Sequence, residues 1–209
     1  MDIEVKKSTG SAVCLDDSRL KSIPAEVFQM QEIIDLSLRR NEISEIPPCI
    51  QNLKNLRRLN LRHNNLENIP GEICSLGKLQ VLNLGFNKIK SLPKELISLG
   101  NLSALYLDHL HLRTIPEEVF ELEGLTILSL EANEIKEIPS EIKCLKNLRV
   151  LNIRANNLTK IPSEIGWLYK LRILDLAENK LNTLPKEIRY LHKLKKIVLQ
   201  QTPDTLFEF

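Results

Sequence analysis

One stretch of the 209-residue chain decides its fold: Leu148-x-x-Leu151-x-Ile153-x-x-Asn156-x-Leu158-x-x-Ile161-Pro162-x-x-Ile165-x-x-Leu168. The same pattern extends in both directions without a gap, because eight prolines recur at one constant interval: Pro24, Pro47, Pro70, Pro93, Pro116, Pro139, Pro162 and Pro185. An internal period of about 20–50 residues is typical of solenoids and propellers. We therefore expect a stack of similar units.

The pattern within one unit predicts a short strand followed by a helical turn. Leu59 and Leu61 alternate with Asn60, which places the two leucines on one face of a strand. The proline is expected to supply the first residue of the helical turn, where no amide donor is needed. That turn should bury Ile73 and Leu76, three residues apart. One unit cannot bury its own apolar side, so neighbouring units must share a continuous core.

These residues resemble the leucine-rich repeat, L-x-x-L-x-L-x-x-N-x-L, in the form with the continuation (L/I)-P-x-x-I-x-x-L. That form is similar to the intracellular subclass in plant Ras-group-related proteins, Ras suppressor, Erbin, Scribble, yeast adenylate cyclase and a yeast deadenylase. The resemblance implies an α/β leucine-rich-repeat solenoid, or horseshoe, with a concave parallel β-sheet and short helical turns on the convex side. It implies a protein-binding role but no particular pathway.

Composition and register predict a single array. Residues 1–12 would form an N-terminal flank or cap, residues 13–199 about nine strands, and residues 200–209 a C-terminal tail whose Phe207 and Phe209 could cap the core. The net charge of +2 gives no whole-chain field that would attract nucleic acid. The chain shows no signal sequence or membrane span, and its four widely spaced cysteines fit free thiols, so a cytoplasmic or nuclear location is expected.

A ladder of asparagines stands at one fixed position before the prolines: Asn41, Asn64, Asn87, Asn133, Asn156 and Asn179. Each amide can satisfy backbone groups that the turn leaves unpaired, so their expected role is structural. Ser18 and Leu110 interrupt the ladder. The turn around Leu110 should therefore be irregular, and asparagine at position 110 would be expected to stabilise the array by about 1 kcal/mol.

The candidate binding site follows from the positions in and just after each strand that face away from the core. In the repeat that contains Pro70 these positions are Arg58, Asn60, Arg62 and His63. Phe86 and Tyr106 have no packing reason to occupy such positions, and aromatic residues anchor interfaces disproportionately. Mutual packing on the open sheet is the alternative for the two aromatics, and a solvated surface is the alternative for the arginines. The predicted partner-binding set on the concave face is Phe86, Tyr106, Arg62, His63, His109, Arg39, Arg40, Arg58, Asn60, Asn83, Asp108 and Glu131.

A secondary surface is predicted on the convex side, where Trp167 and Tyr190 hold the same position of consecutive repeats. Local packing that shields the helical turns is the alternative.

Neither an enzyme nor a metal or cofactor site is expected, because the sequence has no phosphate-binding glycine loop, nucleophile–base pair or metal-ligand spacing. The sequence therefore predicts a non-catalytic adaptor that binds a protein partner, with resemblance pointing to small-GTPase-type signalling. A recruiting module of a deadenylase-like or ubiquitin-ligase complex is the alternative. Nucleic acid, a membrane span and a small-molecule substrate are not expected.

Overall fold

The computed structural model describes residues 7–8 and 11–199, and the chain divides into two compact units, residues 1–105 and 106–209. The described strands are β1 Lys7–Ser8, β2 Ala12–Cys14, β3 Asp35–Ser37, β4 Arg58–Asn60, β5 Val81–Asn83, β6 Ala104–Tyr106, β7 Ile127–Ser129, β8 Val150–Asn152, β9 Ile173–Asp175 and β10 Lys196–Val198. Strands β2 to β10 recur at the same interval as the prolines, as the sequence predicts. The predicted solenoid of leucine-rich repeats is confirmed.

Strand pairing within each unit is parallel and in register with the repeat. In the first unit, Leu36 of β3 lies opposite Leu59 of β4, and Leu59 lies opposite Leu82 of β5. In the second unit, β7, β8, β9 and β10 pair in the same way. The N-terminal flank contributes β1, which pairs antiparallel with β2 and so covers its free edge. The tail from residue 200 onward, with Phe207 and Phe209, lies outside the described residues.

The helical turns are all five-residue 3-10 helices. They span Ala25–Gln29, Pro48–Asn52, Gly71–Ser75, Lys94–Ser98, Glu117–Glu121, Ser140–Cys144, Ser163–Trp167 and Lys186–Tyr190. Bonds of the i to i+3 type hold each one, for example the Ile73 amide donating to the Pro70 carbonyl at 3.2 Å. Such helices are stable only as short pieces, which fits a unit of this length.

The role predicted for the register proline was wrong in one respect. Pro70 has φ −72° and ψ 147°, which is extended backbone, and the helix begins one residue later at Gly71. The proline therefore caps the helix with its carbonyl and does not form the first helical residue. The out-of-register Pro48, by contrast, does occupy a first helical position.

The asparagine ladder is confirmed as structural. Asn64 is buried, and its Oδ1 accepts a hydrogen bond from the Ile43 amide of the preceding repeat at 3.0 Å. Its Nδ2 donates to the carbonyls of Leu38 and Leu61 at 2.9 and 3.0 Å. Each ladder asparagine thus links its own turn to the preceding repeat by hydrogen bonds, and it supplies partners to backbone groups that strand pairing leaves unpaired.

The turn around Leu110 is irregular, as predicted. His111 has φ 58°, and Arg19 has φ 54° in the other repeat without a ladder asparagine, whereas this position is not left-handed in the repeats that keep the asparagine. Asn133 Oδ1 closes the altered turn by accepting from both the Leu110 and Leu112 amides at 3.0 Å. Leu110 itself is only 5% exposed. The ladder asparagines are equally buried and fully hydrogen-bonded, so the stabilisation expected for asparagine at position 110 stays a prediction, which urea unfolding would check.

Candidate functional site

The open face of the sheet is built by the alternation along each strand. In β4 the buried Leu59 points into the core, while Arg58 and Asn60 on either side face solvent. Because equivalent residues pair across neighbouring strands, outward side chains form columns that run across each unit. We call this surface the strand face.

One column of the strand face has left-handed backbone throughout. It lies three residues beyond the end of each strand, and its residues all have φ between 53° and 57°: Asp17, Arg40, His63, Phe86, His109, Ala132, Ala155 and Glu178. Non-glycine residues adopt this conformation at a cost, and a bulky side chain there is unusual. Phe86, with φ 57°, therefore has no backbone reason to be phenylalanine. Its role in partner binding stays a prediction.

Phe86 is the centre of a cluster in the first unit. The His63 ring stacks on the Phe86 ring with centroids 3.9 Å apart, and the Arg62 guanidinium lies 4.5 Å from the Phe86 ring centroid. All three side chains are half-buried. Contacts of this kind hold the ring in one orientation while part of its surface remains open to solvent. We call these three residues the Phe86 cluster.

Aspartates neutralise part of the predicted arginine cluster. Arg58 forms an ion pair and hydrogen bond with Asp35, which raises the pKa of the arginine above its usual value. Arg40 lies 4.0 Å from Asp17. Sequence reasoning missed these partners, although each aspartate holds the same column as its arginine one repeat earlier.

Two polar atoms of this surface are buried without a hydrogen-bond partner among the described residues. They are Nε of Arg39, a donor, and Oδ1 of Asp35, an acceptor. Close by, an open depression of about 300 Å³ crosses β2 to β5 and is lined by Cys14, Ser37, Asn60 and Asn83 among others. Buried polar groups are nearly always paired, so the strand face of the first unit has unused capacity for a polar ligand.

The second unit presents an acidic strand face. Glu131 accepts a hydrogen bond from Asn152 at 3.0 Å. Arg154 is the single arginine there and forms an ion pair with Glu178, which raises the pKa of Arg154 through its hydrogen bond and charge. Tyr106 and His109 are half-buried on the same face. The predicted site therefore comprises a basic group in the first unit and an acidic group in the second.

Asp108 does not belong with the predicted binding residues. Its side chain is 5% exposed, and its Oδ1 accepts hydrogen bonds from the Ser129 hydroxyl at 2.5 Å and the Glu131 amide at 3.0 Å. Asp16 bonds Ser37 and the Arg39 amide in the same way. In most other repeats the amide equivalent to that of Glu131 donates to an asparagine or aspartate side chain two residues earlier, as Arg62 does to Asn60 at 3.1 Å. Serine stands at that earlier position before Arg39 and Glu131, and an aspartate of the preceding repeat accepts the hydrogen bond instead. The role of Asp108 is therefore structural.

Asp108→Ala should lower the free energy of unfolding by about 2 kcal/mol, because the buried Ser129 hydroxyl and the part-buried Glu131 amide lose their acceptor. Urea unfolding followed by circular dichroism measures the change. Glu137→Ala, an exposed acidic residue of the same unit, is the matched control and should have little effect. Equal unfolding midpoints for Asp108→Ala and the wild type would contradict the structural role and leave Asp108 a candidate binding residue.

The predicted secondary surface is exposed and does not shield the helices. Trp167 is 56% exposed and Tyr190 42% exposed, so local packing does not account for them. Tyr169, 53% exposed, lies with its ring centroid 6.1 Å from that of Trp167 and was missed by the sequence analysis. Its loop position after the helix gave no signal.

The cysteines are all free thiols in the structure. Cys14 and Cys144 are exposed, whereas burial raises the pKa of Cys74 to about 11, with a smaller contribution from the charge of Glu95. An exposed thiol titrates near about 8.5, so the buried thiol favours the folded state below that pH. This contribution is lost as the pH rises from there to about 11.

Thiol titration checks this arrangement. We expect Cys14 and Cys144 to react rapidly in the folded protein and Cys74 to react only after unfolding, since it is buried and stays protonated. Four groups should react in denaturant. A smaller total would show that a disulfide forms.

No group of three or more histidine, cysteine, aspartate or glutamate side chains in residues 7–8 and 11–199 is placed to hold a metal ion. Within the same residues, none of the helices has the length and apolar character needed to cross a bilayer.

Comparison with known proteins gives consistent results. The leucine-rich-repeat family pattern matches residues 12–66, 54–112, 100–158 and 146–203. Among curated proteins, none matches significantly. Similar solved structures include a leucine-rich-repeat protein of Leptospira interrogans, with 34% identity over 89% of this chain and a TM-score of 0.81. This chain spans 53% of that protein.

Two further structures share the fold. Internalin C2 of Listeria monocytogenes has 23% identity, covers 90% of this chain and 80% of its own length, and has a TM-score of 0.80. The ectodomain of the receptor kinase GASSHO1/SCHENGEN3 of Arabidopsis thaliana, solved in complex with CASPARIAN STRIP INTEGRITY FACTOR 2, has 32% identity. It covers 83% of this chain and 22% of its own, with a TM-score of 0.69.

Proposed function

This chain belongs to the leucine-rich-repeat family, and on that premise we propose that it is a non-catalytic module that binds a protein partner on its strand face. Proteins of this family generally serve as interaction modules. The binding face and the partner class are the proposal.

The observation that supports it most is the Phe86 cluster. A phenylalanine held half-exposed in left-handed backbone, between an imidazole and a guanidinium, is costly to maintain and contributes nothing to the core. Preorganised aromatic and arginine side chains are the usual anchors of protein interfaces, since little conformational entropy is lost on binding. The strand face therefore has a rigid anchor ready for a partner.

Two polar groups elsewhere on the strand face of the first unit define what the partner must supply. The unpaired Nε of Arg39 requires an acceptor, and the unpaired Oδ1 of Asp35 requires a donor. A polypeptide offers both along its backbone and side chains. Acidic side chains of the partner would face the arginines of the first unit, and basic ones would face Glu131, Asp175 and Glu178 of the second.

Related structures support a polypeptide ligand. One similar structure is that of a plant peptide hormone receptor, RGFR1, in complex with RGF2. Signalling through a small GTPase is the first pathway to test, because the sequence resembles that subclass. A location inside the cell, supported by the four free thiols, is part of the same proposal.

Site-specific photo-crosslinking tests the binding face. A photoreactive residue at Asn83, on the strand face, should give a covalent adduct with a protein in cell extract. The same residue at Ser98, exposed on the helix Lys94–Ser98, is the matched control and should give none. Adducts from Ser98 alone would place the interface on the helical side and contradict the proposal.

A further inference from the structure

We propose that the last repeats of the second unit form a peripheral binding surface for an anionic lipid bilayer, centred on Trp167, Tyr169 and Tyr190. This surface is separate from the strand-face site, and its partner is a membrane rather than a protein.

The apolar part of the surface is concentrated in a short segment. Five large hydrophobic residues are exposed in the described chain, and the three aromatic ones lie between residues 167 and 190: Trp167, Tyr169 and Tyr190. Trp167 and Tyr190 each stand five residues after a register proline, in the neighbouring helices Ser163–Trp167 and Lys186–Tyr190. Exposed apolar residues are common singly, but a group of this kind marks an interaction site.

Gly166 allows the two helices to approach each other closely. A Cβ atom at Gly166 would lie 2.8 Å from Cβ of Glu187 and 2.9 Å from its carbonyl oxygen. The other repeats carry a side chain at this position, such as Phe120 or Arg189. Because glycine removes that spacer next to Trp167, the local sequence brings the aromatic positions of the two repeats together instead of separating them.

The charged part of the surface is strongly basic. Residues 186–195 contain four cations and one acid: Lys186, Arg189, Lys193 and Lys195 against Glu187. The preceding repeats place Arg149, Lys170 and Arg172 at the positions equivalent to Lys195 and Lys193. Within residues 7–8 and 11–199, no ion pair engages Arg172, Lys193 or Lys195, and all three are exposed. These charges are therefore available to an anionic ligand.

The combination of residues favours a lipid surface over other polyanions. Tryptophan and tyrosine are enriched at the membrane–water interface, where the ring enters the headgroup layer and the polar edge stays hydrated. Basic residues beside them attract anionic headgroups. Tyr190 already has its hydroxyl satisfied by Arg189 at 3.1 Å, with the guanidinium 5.1 Å from the ring centroid.

Trp167 provides a direct test, because it is the only tryptophan in the chain. Vesicles of phosphatidylcholine and phosphatidylserine in equal amounts should shift its fluorescence to shorter wavelength, and brominated lipid should quench it. Pure phosphatidylcholine vesicles should have much less effect. Lys193→Gln with Lys195→Gln should weaken partitioning about 25-fold, at about fivefold for each charge. Lys88→Gln with Lys90→Gln, exposed in the first unit, is the matched control and should change nothing.

Three outcomes would overturn the proposal. An unchanged tryptophan spectrum with both vesicle types would show that the surface does not enter a bilayer. Equal binding to both vesicle types would show that the basic residues do not take part. A spectral change with single-stranded oligoribonucleotide but not with vesicles would identify a nucleic-acid surface instead.

Discussion

Asn156→Ala is expected to lower the free energy of unfolding by about 3 kcal/mol, because it breaks one step of the buried ladder. Oδ1 of Asn156 accepts from the Ile135 amide at 3.0 Å, and Nδ2 donates to the carbonyls of Leu130, Ile153 and Arg154 at 2.9 to 3.1 Å. Alanine leaves the buried Ile135 amide without an acceptor, which costs about 1–3 kcal/mol, and removes one of the two donors from each carbonyl. Urea unfolding of the purified chain measures the loss.

Asn157→Ala is the matched control for this prediction. The Asn157 amide donates to the Ile135 carbonyl through the backbone, which alanine preserves, and its side chain forms no hydrogen bond among the described residues. We expect a change below about 0.5 kcal/mol. Similar losses for both variants would mean that the ladder asparagine acts through helix or turn propensity rather than through its amide.

The sequence predicted the fold in detail because the same pattern of residues recurs in every repeat. The constant interval between the prolines fixes the register, and the inward leucines Leu59 and Leu61 follow from strand alternation. The ladder asparagines were also predictable, since only a short amide offers both a donor and an acceptor at that point. Repetition supplies many independent observations of one local structure.

Features that depend on backbone conformation were harder to predict. The left-handed column could not be predicted from residue type, because its members are as different as Asp17, His63, Phe86 and Ala132. The extended conformation of the register proline was missed for the same reason, since both candidate positions accept its φ. The burial of Asp108 could have been inferred by comparing the two repeats that lack the ladder asparagine. Each has an aspartate two residues before the ladder position, Asp16 or Asp108, and each is followed by a repeat with a serine as its partner, Ser37 or Ser129.

Candidate site residues could be singled out from the sequence only where a side chain does not suit its position in the repeat. Phe86 and Trp167 stand out because a large aromatic in an exposed column needs an explanation. The ion pair of Arg58 with Asp35 arises from alignment of neighbouring repeats, which becomes visible only when the columns are read together. Tyr169 lies in a loop, where no periodic pattern separates it from the background.

Phe86→Ala is expected to weaken capture of the protein partner about 30-fold, with the unfolding midpoint nearly unchanged. The Phe86 ring contacts His63 and Arg62 on the open face and takes no part in the core, so its removal costs little folding energy. Truncating an interface anchor typically costs about 2 kcal/mol or more in binding. Tyr106→Ala should act in the same direction, whereas Arg39→Ala should give a smaller loss that depends on salt, because rim charges act mainly on the association rate.

Affinity capture with each variant, followed by titration of the recovered partner, measures these effects. Trp167→Ala is the matched control, since it removes an exposed aromatic of the second unit that the strand face does not include. It should leave capture unchanged while reducing vesicle binding, so the two surfaces are separated by opposite responses. Loss of capture with Trp167→Ala but not with Phe86→Ala would move the protein-binding site to the aromatic surface and leave the Phe86 cluster as packing on an open sheet.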